Sequence, residues 1–432
     1  MNSKKFKIFI TLLFLIGTTI TAGIPSFFPV SSSKSMSLNG IYAAGSDGIS
    51  SLSTNPAGLS QLNGRAIEFS VFGRLGQQDY VNTNETLFRS FRDDDIGFNI
   101  GAFWKITDDV TVAVDYNNAV QYRVNWPFAK FFQGDSNSAV LAFDHFNDFS
   151  ITSINPSAAV SFGNISVGAS VNILNIKHKA GFYQGDPNWE ATVAGLGGYQ
   201  VDYSADAWTF GGTLGIQADL TTDLRIGAYV KSTISASLEG DAQSRMLADL
   251  DSTVSKTSLS TDFELPWVFG LGVLYNLSDN LKLNVDALYS LWSGTQSVQN
   301  YSFGNEIWNN RFSSVDSISG YKAGQFQLQY ENSFNLGVGL EYFPSSSVTL
   351  RFGYRYSQTH FSEATYNMLY PAVDQHWLSF GVGFWFEELY MDLAIAYAAG
   401  IERTVDQNSN FFYPGNYNGN AFVPSMNMKY QF

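Results

Sequence analysis

Val348-Thr349-Leu350-Arg351-Phe352-Gly353-Tyr354-Arg355-Tyr356 places Val, Leu, Phe and two Tyr on one side of an extended chain. Thr, Gly and two Arg fall on the other side. A period of two is the signature of a strand with one apolar face. The pattern recurs over 208–220, where Trp208, Phe210, Leu214, Ile216, Ala218 and Leu220 oppose Thr209, Gly211, Thr213, Gly215, Gln217 and Asp219. Over 281–291, Leu281, Leu283, Val285, Ala287, Tyr289 and Leu291 alternate with Lys282, Asn284, Asp286 and Ser290. Over 389–397, Leu389, Met391, Leu393, Ile395 and Tyr397 face away from Asp392. These runs have the length of tilted strands that cross a bilayer, about 9–11 residues.

Fourteen such runs can be counted, near 65–75, 95–106, 110–122, 153–162, 164–176, 207–219, 224–237, 264–277, 281–292, 326–342, 348–360, 376–386, 389–399 and 421–432. Their connections alternate between short and long. The short ones carry turn residues, as in Thr107-Asp108-Asp109, Gly163-Asn164, Thr221-Thr222-Asp223, Ser278-Asp279-Asn280, Pro344-Ser345-Ser346 and Glu387-Glu388. The long ones fall near 76–94, 123–152, 177–206, 238–263, 293–325, 361–375 and 400–420. An even number of strands with short turns at one end and long loops at the other predicts an all-β, 14-stranded antiparallel transmembrane barrel of the outer-membrane type. A soluble β-sandwich would not place its long loops so regularly at one end.

Composition agrees and excludes other classes. Charged residues are 14% of the 432, below the roughly 25% usual in soluble proteins, and aromatics are 16%. With no Cys, disulfides, thiolate metal sites and Cys nucleophiles are excluded. A formal charge of −14 disfavours nucleic acid. The N-terminus reads as a signal peptide over 1–22: Lys4, Lys5 and Lys7, then apolar Ile8 to Ile20, then small Thr21, Ala22 and Gly23. Its removal leaves 21 basic against 38 acidic residues, a charge of −17. Residues 23–64 are Ser-, Gly- and Asn-rich and lack periodicity. They are expected to form a plug inside the lumen or a periplasmic tail, with the barrel over 65–432.

Ser37-Leu38-Asn39-Gly40-Ile41-Tyr42-Ala43-Ala44-Gly45, Asp47-Gly48 and Asn55-Pro56-Ala57-Gly58-Leu59 resemble the N-terminal hatch of the FadL-type outer-membrane fatty acid transporters. Ile154-Asn155-Pro156, Ala207-Trp208, Leu224-Arg225-Ile226-Gly227, Leu265-Pro266, Leu291-Trp292-Ser293, Leu350-Arg351-Phe352-Gly353-Tyr354, His376-Trp377-Leu378 and Met391-Asp392-Leu393 follow in the order of that family's later strands. The resemblance implies a barrel with a hatch, with the motif Asn55, Pro56 and Ala57 inside it. It implies passive uptake of long-chain fatty acids or other hydrophobic molecules, and sideways release into the bilayer at a kink in the third strand. It implies no enzyme activity and no cofactor.

The residues themselves suggest where such a ligand would bind. Trp126, Phe128, Phe131, Phe132, Phe182 and Trp189 are greasy for external loops, as are Phe143, Phe146, Phe149 and Tyr183. They form either an entrance groove or loop-to-loop packing. A carboxylate wants a cation, and alternation points Arg351, Arg355, Arg225 and Lys231 into the lumen, with Arg65 and Arg74 as further candidates. Each has the alternative of pairing with the inward acids Asp115, Asp219, Asp286, Glu341 and Asp392. Near 326–335, where the family often has a base facing the ligand, this chain has Glu331, which favours a neutral hydrocarbon. At the third strand it has Asn117-Asn118 in place of the family's Gly or Pro, an expected bulge and lateral gate. The four His (145, 178, 360, 376) show no metal spacing, and Asp93-Asp94-Asp95 reads as a solvated loop. The expected partners are a hydrophobic small molecule and the lipid and lipopolysaccharide of the outer membrane, around a monomer. The alternatives are a general diffusion porin and a scaffold for an export or adhesion complex.

Overall fold

The computed structural model describes residues 32–38, 40, 42–46, 48–91, 93–126, 145–184, 199–244, 254–312, 325–409 and 413–432. The strand segments are β1 (Arg65–Asn82), β2 (Leu87–Arg89), β3 (Asp93–Lys105), β4 (Val110–Trp126), β5 (His145–Ile154), β6 (Ser157–Phe162) and β7 (Ile165–Gln184). They continue with β8 (Tyr199–Asp219), β9 (Leu224–Lys231), β10 (Ile234–Gln243), β11 (Lys256–Leu265), β12 (Val268–Ser278), β13 (Leu281–Ser290) and β14 (Val298–Phe303). The last are β15 (Gln325–Gln327), β16 (Ser333–Ser345), β17 (Val348–Ser357), β18 (Gln375–Phe386), β19 (Leu389–Gly400), β20 (Arg403–Val405) and β21 (Gly415–Gln431). They make fourteen antiparallel staves, five of them split in two: β5/β6, β9/β10, β11/β12, β13/β14 and β15/β16. β2 and β20 are short strips in the connections. The sheet closes where β21 meets β1, with Ala66 opposite Gln431 and Asn82 opposite Gly415. Closure removes both edges, which is what hydrocarbon demands of a strand-built span.

Side chains divide by parity as alternation predicts. Phe352, Tyr354, Leu378, Leu336 and Leu214 face outward and are exposed, while Thr349, Arg351 and Arg355 face inward and are buried. Several staves run longer than the apolar runs indicate. The stave expected to begin near 153 starts at His145, and β7 and β8 extend through much of the loop expected at 177–206. In these extensions the parity continues but the polarity inverts. On β8, Trp208 and Phe210 face lipid, 65% and 79% exposed, whereas higher up Val201, Tyr203 and Ala205 point inward and are buried. Asp202, Ser204 and Asp206 there point outward. On β7, Val167, Val171 and Ile173 are outward, then Ile176, His178, Ala180 and Phe182 are inward and buried. Above the bilayer the outside is wet and the inside is a protein core, so the same pleat carries the opposite hydrophobic sign.

The N-terminal segment lies inside the barrel. A short helix, Ser33–Ser37, is capped by Ser32, whose Oγ accepts from the Ser35 N–H. A second spans Ser50–Ser53, and a 3-10 turn spans Pro56–Gln61. Nearly all described residues from Ser32 to Ser60 are buried. Buried backbone donors need partners, and the wall supplies them. The Ala43 N–H donates to Asp286 Oδ1 at 2.8 Å and the Ile49 N–H to Glu68 Oε2 at 3.1 Å. Asn55 ties three levels together. Its Oδ1 accepts from the Ala57 N–H at 3.1 Å, and its Nδ2 donates to the carbonyls of Ala43 at 2.9 Å and Ile216 at 3.0 Å. Gly215 and Gly168 lack the Cβ atoms that would collide with Asn55 and Pro56, which lets the segment lie directly against the wall.

Candidate functional site

Above the N-terminal segment sits a cavity of about 220 Å³. Its floor is Leu52, Ser53 and Thr54, and its sides include Val120, Ile151, Leu174, Leu288 and Trp292, with Asn117, Asn155, Asn172 and Asn335 interspersed. The splits in β9/β10, β11/β12 and β13/β14 line it, through Ser232, Pro266 and Trp292. Lys231 is the one charged side chain among its described lining residues, and its Nζ donates to the Ser53 carbonyl.

The connection between β17 and β18 forms a cap that dips inward over this cavity. Phe361, Tyr366, Met368, Leu369, Tyr370, Ala372 and Val373 are all buried there. Barrel side chains hold its backbone. Trp126 Nε1 donates to the Met368 carbonyl at 2.7 Å, while Tyr122 Oη at 2.9 Å and Asn147 Nδ2 at 3.0 Å donate to that of Leu369. His360 stacks face to face on Trp292, with ring centroids 4.0 Å apart, and burial pushes its imidazole down to about 3. The sequence reading missed this cap by treating 361–375 as an external loop. Its signal was the apolar run Met368-Leu369-Tyr370-Pro371-Ala372-Val373.

The expected residues are distributed as follows. Trp126 and Phe182 are buried in the aromatic core under the cap, 0% and 4% exposed, so at these two positions the side chains pack and present no open groove. Phe128, Phe131, Phe132, Phe143 and Trp189 lie outside the described residues, as do Asn39, Ile41, Asp47 and the segment 1–22. Of the four cationic candidates only Lys231 lines the cavity. Arg225 sits near the short turn at 220–223, where it pairs with Asp219 at 2.6 Å and bonds Gln61. Arg351 is buried among Glu341, Asp392 and the Tyr390 hydroxyl. Arg355 lies 4.6 Å from the centre of the Trp377 ring. Glu331 is exposed and does not line the cavity, which removes the geometric ground for inferring a neutral ligand from it.

At the third stave, the register between β4 and β5 shifts between Asn117 and Val120: Asn117 faces Ser153 and Val120 faces Ile151, so β4 carries one extra residue. Asn117 Nδ2 donates to Ser53 Oγ at 2.9 Å. The ladder between β3 and β4 stops at the same place, at Asn99 opposite Asn117.

The sequence model of the family described as "Outer membrane protein transport protein (OMPP1/FadL/TodX)" matches residues 124–432. The chain belongs to this family. It is 26% identical over 241 residues to outer membrane protein P1 of Haemophilus influenzae, an alignment covering 52% of this chain and 48% of that protein. The chain thus aligns with about half the length of that curated relative. Its fold is similar to the crystal structure of a Pseudomonas aeruginosa FadL homologue (TM-score 0.73, 18% identity, 95% of this chain and 100% of that one). It is also similar to the toluene transporter TodX of P. putida (TM-score 0.73, 16% identity, 94% and 99%). Membership places this FadL/TodX-family barrel in the outer membrane, among outer-membrane transport proteins.

Proposed function

We propose that this channel takes up hydrophobic molecules with one anionic end, of the long-chain fatty acid kind, and that residues 23–64 serve as its plug. The observation that carries the reading is Lys231, among the described residues the only charged side chain on a cavity otherwise lined by apolar groups, amides, hydroxyls and the His360 imidazole. A carboxylate entering the cavity replaces the Ser53 carbonyl as the acceptor for Lys231, a charge-assisted exchange. The lipopolysaccharide surface stops a greasy solute and the hydrocarbon does not, so the protein's task is to shelter the solute past the polar layer. Release sideways between β3 and β4 avoids rehydrating about 25 cal/mol per Å² of apolar surface in the periplasm.

The test is displacement fluorimetry on purified protein with cis-parinaric acid, an anionic probe, and 1-N-phenylnaphthylamine, a neutral one. Lys231→Met is expected to weaken the anionic probe about tenfold, the loss of one hydrogen bond to a charged group, and to leave the neutral probe unchanged. Equal losses for both probes, or none for either, refute the anchor. A second reading, a compact neutral aromatic, is favoured by the cavity's ≈ 220 Å³, which is small against the usual range of ligand pockets, about 300–1,000 Å³. Toluene that displaces the neutral probe from wild type and Lys231→Met alike, with cis-parinaric acid failing to bind, supports it.

A further inference from the structure

The wall between β3 and β4 is laddered only in its lower half, from Lys105 opposite Thr111 to Asn99 opposite Asn117. Above that, among the described residues, no ladder pair joins the two segments; just ahead of β3, the Phe91 N–H donates to the Asn125 carbonyl at 2.7 Å. Side chains cross the interval instead. Arg74 on β1 and Asp95 on β3 are cross-strand partners and form an ion pair at 3.3 Å. Arg74 Nη1 reaches over β3 to the backbone carbonyl of Gln121 on β4. The Gln121 side chain, in the amide orientation that satisfies both of its ends, donates to Asp95 Oδ1 at 2.7 Å and accepts from Asn118 Nδ2 at 2.9 Å. Arg74 and Asp95 are largely buried, their side chains 19% and 12% exposed. The cavity reaches this part of the wall, for Asn117 and Val120 both line it.

Gln121 is in register with Ser150 on β5, but no ladder meets it on the β3 side, and a backbone carbonyl left unsatisfied in a membrane wall is costly. Here its acceptor capacity is met by a guanidinium on a rotatable side chain, which leaves and returns without unzipping a ladder. We propose that Arg74, held between Asp95 and the Gln121 carbonyl, is a removable bolt that keeps the wall shut between β3 and β4. A hydrophobic molecule passes from the cavity into the bilayer when the bolt swings aside. This inference rests on the channel reading above and on its sideways exit, and adds the residue that controls that exit.

Uptake of 1-N-phenylnaphthylamine, followed by its fluorescence in intact Gram-negative cells lacking other channels of this kind, tests it. Arg74→Met with Asp95→Asn removes both charges together, so neither is left buried alone. Its uptake is expected to be about tenfold faster than wild type, the factor given by losing one charge-assisted bond from the closed state. In Asp95→Cys with Gln121→Cys, a short bis-methanethiosulfonate cross-linker should abolish uptake and reductant should restore it. Folding of each variant is read from heat-modifiable gel mobility, and a charge-free variant that does not fold leaves the cross-link to decide. Unchanged or slower uptake in the folded charge-free variant, or full uptake in the cross-linked one, overturns the bolt, while wild-type uptake above empty cells keeps the channel reading. No uptake by wild type or any variant overturns both.

Discussion

Arg351→Met separates a structural role for this arginine from a ligand-binding one. In the folded barrel the Arg351 guanidinium meets Glu341 through Nε, Asp392 through Nη1 and the Tyr390 hydroxyl through Nη2. Tyr390 in turn donates to Asp392 at 2.7 Å, and Lys34 of the N-terminal segment stands 3.8 Å from Glu341. Glu341 and Asp392 are 4% and 1% exposed, so removing the cation leaves two carboxylates stranded out of water. Breaking a buried pair from one side costs about 3–5 kcal/mol. Lys34 still serves Glu341, which puts the expected loss near the lower end, about 3 kcal/mol, roughly a hundredfold in the folding equilibrium. The assay is urea unfolding of protein reconstituted in bilayers, read by heat-modifiable mobility. Because Arg351 does not line the cavity, cis-parinaric acid affinity should be unchanged wherever the barrel is folded. A stability loss under about 1 kcal/mol, or a tenfold loss of probe affinity in a fully stable barrel, would refute the assignment of Arg351 to the wall.

Asn55→Ala removes a donor shared by two carbonyls and the acceptor of the Ala57 N–H, so the N-terminal segment should loosen by about 2 kcal/mol; faster amide exchange over 43–61 with the barrel intact is the expected readout. Trp126→Phe leaves the Met368 carbonyl without its indole donor and should raise exchange over 366–373 by the equivalent of about 1–2 kcal/mol, while unchanged protection there counts against the cap's attachment. His360 titrates lower in the folded cap, about 3, than the usual 6.5, so an opened cap takes up a proton that the closed one refuses. Cap stability therefore falls as pH drops from 6.5 toward 3, and His360→Phe, which keeps a ring against Trp292, should flatten that component of the pH dependence of exchange over 358–374.

The barrel was legible because lipid enforces one rule on every stave. Phe352, Tyr354 and Leu378 face hydrocarbon whatever lies inside, so period-two counting finds them. The extensions above the bilayer were not legible for the complementary reason. At Tyr203 and Asp206 the polarity rule reverses, and a pattern that inverts without shifting looks like a strand that has ended. Arg351, Arg355, Arg225 and Lys231 were placed on the correct face by the same counting, whereas Arg65, a further candidate, stands on the exposed outer face of β1 beside Phe432. Parity fixes a face and says nothing about height, however, so it could not separate Lys231 beside the cavity from Arg225 at the short-turn end or Arg351 within the wall. Nor does alternation report the cap: Met368 and Leu369 are held there by Trp126, Tyr122 and Asn147, more than 200 residues earlier in the chain.

The hydroxyls of Ser33 and Ser425 are hydrogen-bonded across 392 residues of chain. The order of assembly follows from this. The N-terminal segment is the first part of the described chain to be synthesised, yet the surfaces that receive its opening helix belong to β17, β18, β19 and β21, the last to be made. Long-range closure of this kind is slow, and the segment must wait in water before the lumen exists. Its composition suits that wait. Ser32, Ser33, Ser35, Ser37, Ser46, Ser50, Ser51 and Ser53 are buried in the finished barrel but stay solvated as a loose chain, where a greasier segment would aggregate. A serine-rich interior is thus a solution to a problem of timing as much as of packing.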